Sequence, residues 1–149
     1  MTASIPDKLV HRGRTLNLCA TPLEDWLKRQ PKARRPTFLP ASTANRRGYV
    51  ATWEIIDERL YLTALENAVC KLAEELHEAT LETLFPGGPF PKPATWVTGR
   101  FRCPEGRLRS YVHAHFASEY ERDRIFFIEK GLVVEEWLVH NPPAPLYYL

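Results

Sequence analysis

The sequence contains no G-x-G-x-x-G turn, no P-loop, no G-x-S-x-G elbow and no H-E-x-x-H pair, so nucleotide-cradling, hydrolase-elbow and zinc-protease chemistry have no local support. Cysteine is scarce and scattered. Cys19, Cys70 and Cys103 form no C-x-x-C pair, which argues against a disulfide framework and a thiolate metal site and leaves three buried or inert thiols as the expectation. No apolar run approaches the roughly 20 residues of a membrane span, and Met1 to Lys8 lacks the apolar centre of a secretory signal. The expected location is therefore the cytoplasm, with no membrane partner. Internal repeats and low-complexity tracts are also absent.

What is there reads as one domain, residues 1–149. The chain is 44% hydrophobic and 26% charged, and this length suffices to bury about two thirds of the unfolded surface. Balanced charge and ordinary apolar content exclude collagen, coiled coil and disorder. Proline is in excess at 13, and aromatic residues greatly outnumber the 7 glycines. The formal charge of +2 conceals two opposed blocks. Residues 28–47 carry Lys28, Arg29, Lys32, Arg34, Arg35, Arg46 and Arg47 and no acid. Residues 54–82 hold Glu54, Asp57, Glu58, Glu66, Glu74, Glu75, Glu78 and Glu82 against Arg59 and Lys71. A basic side and an acidic side follow.

Lys8 to Leu18 reads as two short strands about Arg12-Gly13-Arg14. Thr21-Pro22-Leu23-Glu24 starts a helix, with a hydroxyl cap, a first-position proline and a glutamate placed to cap back; Pro31 stops it. Pro31, Pro36 and Pro40 keep the basic segment 31–47 extended. Tyr49 to Ile55 and Leu60 to Ala64 alternate as a hairpin about Asp57-Glu58, with Ile55 facing Leu60, Trp53 facing Leu62 and Ala51 facing Ala64. From Asn67 to Leu84 the spacing of Val69, Leu72, Leu76, Ala79 and Thr83 predicts an amphipathic helix whose outer face carries Glu74, Glu75, Glu78 and Glu82. A second hairpin is expected over Trp96–Cys103 and Leu108–His115 about Glu105-Gly106. A third is expected about Lys130-Gly131, with Ile125–Ile128 central in the sheet. The proline-rich tail His140–Leu149 is expected to dock. The fold class is α+β: a single antiparallel sheet of six or more strands, made from three hairpins and packed by one long and one short helix.

In that second hairpin Arg102 faces Arg109, Arg100 faces Tyr111, Thr98 faces His113 and Trp96 faces His115. Opposed guidiniums require water, an acid or an anion between them. Arg100, Arg102, Arg109, Tyr111, His113 and His115 thus form a candidate platform for an anion or nucleic acid. Nearby arginines repel a cation, which disfavours a metal at His113 and His115. The glutamate face offers a steering surface for a basic partner. A small enzyme acting through His113, Tyr120 and Glu121, or a carboxylate pair Glu119 and Glu121, would need those groups to converge.

Several segments, in order, resemble a family of small, largely uncharacterised bacterial proteins: Arg47-Gly48-Tyr49-Val50-Ala51-Thr52-Trp53-Glu54-Ile55, Arg59-Leu60-Tyr61-Leu62, Leu84-Phe85-Pro86-Gly87, Trp96 with Thr98-Gly99, Tyr111-Val112-His113, and Tyr120-Glu121-Arg122-Asp123. They span residues 47–124. The chain departs from that pattern at Asp57-Glu58, where the family has Asp-Gly, and at Ala114–Ser118, where it is glycine-rich. The resemblance implies an immunity protein of a polymorphic toxin system, a non-enzymatic antitoxin without a cofactor that binds and occludes a cognate toxin domain. Its partner surface is expected to use the four glutamates and the basic platform above.

Overall fold

A computed structural model describes residues 4–66, 68–112 and 116–142. The docked tail expected beyond Pro142, and His113 and His115, lie outside the described residues. The strands are β1 (Asp7–His11), β2 (Arg14–Leu18), β3 (Thr37–Phe38), β4 (Val50–Ile56), β5 (Arg59–Glu66), β6 (Val69–Leu72), β7 (Glu75–Glu78), β8 (Lys92–Pro93), β9 (Gly99–Ser110), β10 (Glu119–Glu129) and β11 (Leu132–His140). Two helices accompany them, α1 (Pro22–Arg29) and α2 (Leu81–Leu84).

The expected architecture is overturned on three counts. Strands make up 51% of the structure and helix only 11%. There are two sheets: an eight-stranded one ordered β2-β1-β4-β5-β11-β10-β9 with β8 beside β5, and a three-stranded one ordered β3-β6-β7. The large sheet is mixed, because β1 runs parallel to β4 with Leu9 beside Trp53. The connection between those two strands contains β2, α1 and the basic segment, long enough for a parallel crossover.

The long helix expected over 67–84 is a hairpin followed by one helical turn. Cys70 is fully buried and Ala68 and Ala79 are buried, whereas Val69 and Leu76 are exposed. Ala68 and Cys70, two apart, hold the arm down, and Val69 and Leu76, two of the larger apolar residues that suggested a helical stripe, face outward. Ala73 and Glu74 both take positive φ, 51° and 67°, and so form the two-residue turn. Neither is glycine or asparagine, which hides the turn from composition.

The same device recurs. Arg12-Gly13, Asp57-Glu58 and Lys130-Gly131 are also two-residue turns with both φ angles positive. The hairpins expected at the first, second and last of these sites form, although β4–β5 carries a bulge at Thr52/Trp53. Ile55 faces Leu60 and Trp53 faces Leu62 as expected, but Ala51 faces Leu65 rather than Ala64. The expected hairpin about Glu105-Gly106 does not form: β9 runs straight through it and pairs along its length with β10, Arg102 opposite Ile125 and Cys103 opposite Arg124. Gly106 serves a bulged stretch of that ladder. Strand β10 is central between β9 and β11.

Helix α1 starts at Pro22, but Thr21 makes no side-chain cap. Glu24 does not cap back; it accepts the Tyr49 hydroxyl at 2.7 Å. The helix lays Leu23 and Leu27 on the core. Beside them Trp26, Phe85, Trp96 and Trp53 form a chain of ring contacts with centroids 4.5 to 6.3 Å apart, and Trp96 Nε1–H donates to the Pro22 carbonyl. The basic segment is partly structural as well. Arg35 donates to the carbonyls of Lys28 and Gln30 at the end of α1, which satisfies acceptors a helix leaves open. Arg47 reaches the buried Asp7 at 2.8 Å. The large sheet curls until its edge strands meet, where Cys19 N–H donates to the Arg102 carbonyl at 2.9 Å.

Candidate functional site

The strongest surface feature is the arm made by β6, β7 and α2. It hangs from β3, with Phe38 paired to Cys70, and closes at its base through Ala79 N–H to the Ala68 carbonyl. Burial raises the Cys70 thiol above its ordinary range, so it anchors the arm as an unreactive apolar group. In the hairpin Leu72 faces Glu75, Lys71 faces Leu76, Cys70 faces His77 and Val69 faces Glu78.

All four residues of β7 are exposed, and Leu76 is 66% exposed between Glu75 and Glu78. The expected single acidic face is corrected by strand geometry: Glu75 and Glu78 project to opposite faces, because the period is two rather than 3.6. Glu74 sits in the turn with Lys71 Nζ 3.1 Å away. Glu75 lies 3.8 Å from His77. Glu82, on α2, accepts the Gly87 N–H at 3.1 Å, while Thr80 and Thr83 cap that turn reciprocally. The arm is a projecting ribbon, acidic on both sides with an apolar side chain near its end.

The described arginines of the basic platform do not come together. Arg102 never meets Arg109. Its guanidinium donates to Asp123 at 2.7 Å and to the carbonyls of Phe116 and Ser118 at 2.8 and 2.7 Å, so its donors are spent on acceptors within the chain. Arg100 and Arg109 are exposed but nine residues apart on one strand, about 30 Å at the usual rise. Tyr111 is half exposed and lines a cavity of about 90 Å³ with Pro6, Cys19, Pro104, Phe116 and Tyr120. Burial raises the Cys19 thiol in that wall.

Sequence reasoning missed a charged network that joins the two ends of the sheet. Glu105, read as a turn residue, accepts Arg14 Nη2 from β2 and Arg124 Nε from β10, both at 2.7 Å, with Arg122 Nε 3.8 Å away. Arg124 also donates to Glu136 at 2.6 Å, and Glu136 lies 3.4 Å from His11, whose ring meets Phe126 edge-on at 5.0 Å. Burial pulls Glu105 upward, yet the bonds from Arg124 and Arg14 hold it below the ordinary carboxylate range. Burial, more than the pull of Glu136, keeps His11 below its usual value. The only sequence signal was the run of alternating charges at Glu121-Arg122-Asp123-Arg124, whose partners are too distant in sequence to read.

For the enzyme alternative, Tyr120 lines the cavity, whereas the Glu121 carboxylate accepts the Arg107 N–H at 3.1 Å and Arg122 Nη1 at 3.4 Å. Among the described residues no group of three His, Cys, Asp or Glu is placed to hold a metal, and no helix is long and apolar enough to cross a membrane. No family model, curated protein or solved structure matches the chain.

Proposed function

We propose that this protein is an antitoxin-like immunity protein that works by binding, with the acidic arm Val69–Leu84 docking against a basic surface of a toxin domain and occluding it. One observation carries the reading: β7 holds out Glu75, Leu76 and Glu78 with every residue exposed. Carboxylates on both faces steer a cationic partner during encounter, and Leu76 supplies apolar area to bury once contact is made. A blocking protein of this kind needs a stiff projection rather than a reaction centre. Cys70 at the base and the reciprocal Thr80–Thr83 cap supply stiffness.

The test is co-expression with the protein encoded immediately upstream. The expected result is that the neighbour arrests growth alone and that this chain restores it through a complex that survives gel filtration. Changing Glu74, Glu75, Glu78 and Glu82 together to lysine should slow association at low salt by at least about tenfold. A neighbour that is harmless, or whose toxicity this chain leaves untouched, removes the proposal. An unchanged association rate moves the interface away from the arm.

A further inference from the structure

We propose that two copies of this chain associate by antiparallel pairing of their β11 strands over Val134–His140, about a two-fold axis at Trp137. The inference is independent of the toxin reading. It begins with the edge of β11. That strand meets β5 only at its start, where Leu132 pairs with Arg59 and Val133 N–H donates to the Glu58 carbonyl. From Val134 onward it runs past the Asp57-Glu58 turn, still paired to β10 as far as His140 opposite Arg122. Among the described residues, its other edge has no backbone partner along that length. Such an edge is a template for another strand.

Four of its seven side chains over that stretch are exposed and apolar. Val134 is 55% exposed, Trp137 51%, Leu138 42% and Val139 39%. Trp137 and Val139 share one face of the strand and Val134 and Leu138 the other, so exposed apolar groups flank the open edge on both sides.

Comparison with β7 shows what protects an edge and what does not. On β7 the acids Glu75 and Glu78 are exposed on both faces, and such charges blunt an edge against pairing. On β11 one of the two acids, Glu136, is turned onto Arg124 at 2.6 Å and towards His11. Its charge is already compensated inside the molecule, which leaves Glu135 as the carboxylate of this strand without an ion pair among the described residues.

The sequence of the strand is also self-complementary, which selects a second copy as the occupant. Pairing about Trp137 puts Trp137 opposite its own mate, Glu136 opposite Leu138, Glu135 opposite Val139 and Val134 opposite His140. No acid faces an acid. A shift by one position in either direction breaks the symmetry at Trp137. Such an interface is isologous and closes as a pair instead of propagating. Trp137 already lies edge-on to Phe127, with centroids 5.1 Å apart, so the two-fold would gather four rings on one face of a continuous sheet. Cross-strand aromatic pairs are among the favourable neighbours in antiparallel sheets.

The experiment is analytical ultracentrifugation of the full chain across a dilution series up to about 100 µM, a range that detects micromolar association. The expected result is a species of twice the chain mass, with the dissociation constant raised at least tenfold by Trp137→Lys, which sets two ammoniums opposite each other at the axis, while the far-ultraviolet circular dichroism is unchanged. Because loss of Trp137 also removes its contact with Phe127, a second variant reports the geometry directly. Trp137→Cys in a Cys19→Ser background should give a disulfide-linked pair on mild oxidation, since directly opposed strand positions bring Cα atoms within disulfide range. A chain that stays monomeric throughout the series overturns the proposal. So does a pair that persists in the lysine variant, or one abolished instead by Glu75→Lys with Glu78→Lys, which would place the contact on β7.

Discussion

Asp7 shows how one residue fixes a topology. Its side chain is fully buried and accepts Arg47 Nη2 at 2.8 Å, the Trp53 indole N–H at 3.0 Å and the Ala51 N–H at 3.1 Å. Burial raises its pKa while those donors pull it down, and together they tie the start of β1 to β4 and to the end of the basic segment. Asp7→Ala would leave Arg47 buried beside no counter-charge, and a loss of about 3–5 kcal/mol is expected in urea unfolding; a change below 1 kcal/mol would show that the pair is incidental. His11 and Glu105 make a second prediction at this scale. Each has a folded pKa below its ordinary value, 6.5 and 4.5 respectively, so the unfolded chain binds more protons and stability falls as the pH drops. Unfolding free energy should decline first below pH 6.5, as His11 is forced to charge, and again below pH 4.5, as Glu105 protonates. Urea midpoints measured against pH check this: His11→Gln removes the first stage and Glu105→Gln the second. Equal pH profiles for parent and variants would contradict it.

At the level of elements, the left-handed turns decide what was legible in the sequence. Lys130-Gly131 and Arg12-Gly13 announce themselves by glycine, and both hairpins were readable. Asp57-Glu58 was readable because the alternation on either side is strong. Ala73-Glu74 was not, since its turn carries no signal and the exposed Val69 and Leu76 fell by accident on a helical period. The β9–β10 pairing was hidden for another reason: Glu105-Gly106 has turn chemistry, but its carboxylate is drawn to Arg14 and Arg124, residues that only the assembled sheet brings near. Of the proposed sites, the acidic arm was therefore visible as residues and not as shape, and the expected facing of Arg102 and Arg109 rested on a hairpin that does not form. These turns also yield a test whose sign separates the two readings of residues 67–84. A non-glycine residue at positive φ is strained by about 1 kcal/mol, so Glu74→Gly should raise the melting temperature by a few degrees. In a helix the same change would lower it by a similar amount.

On the scale of the whole molecule, charge is sorted by use. Two arginines of the basic segment and one of β10 are engaged within the structure, Arg47 on Asp7, Arg35 on helix carbonyls and Arg124 on two glutamates, while Arg29, Arg34 and Arg46 are exposed on that segment and Glu75 and Glu78 on the arm. A molecule with formal charge +2 thereby presents a local negative pole. If the arm meets its partner by steering, association should slow steeply between about 50 and 500 mM salt while dissociation changes little, a split that stopped-flow measurements resolve. Strand order has a further consequence, for biosynthesis. The hairpin β1–β2 is made early, yet its outer edges are covered by β4 and, through Cys19 and Arg102, by β9. Translation adds about 5–20 residues each second, so that hairpin waits several seconds with open edges before its last neighbour emerges. Closure of the large sheet therefore waits on long-range contacts made late in synthesis.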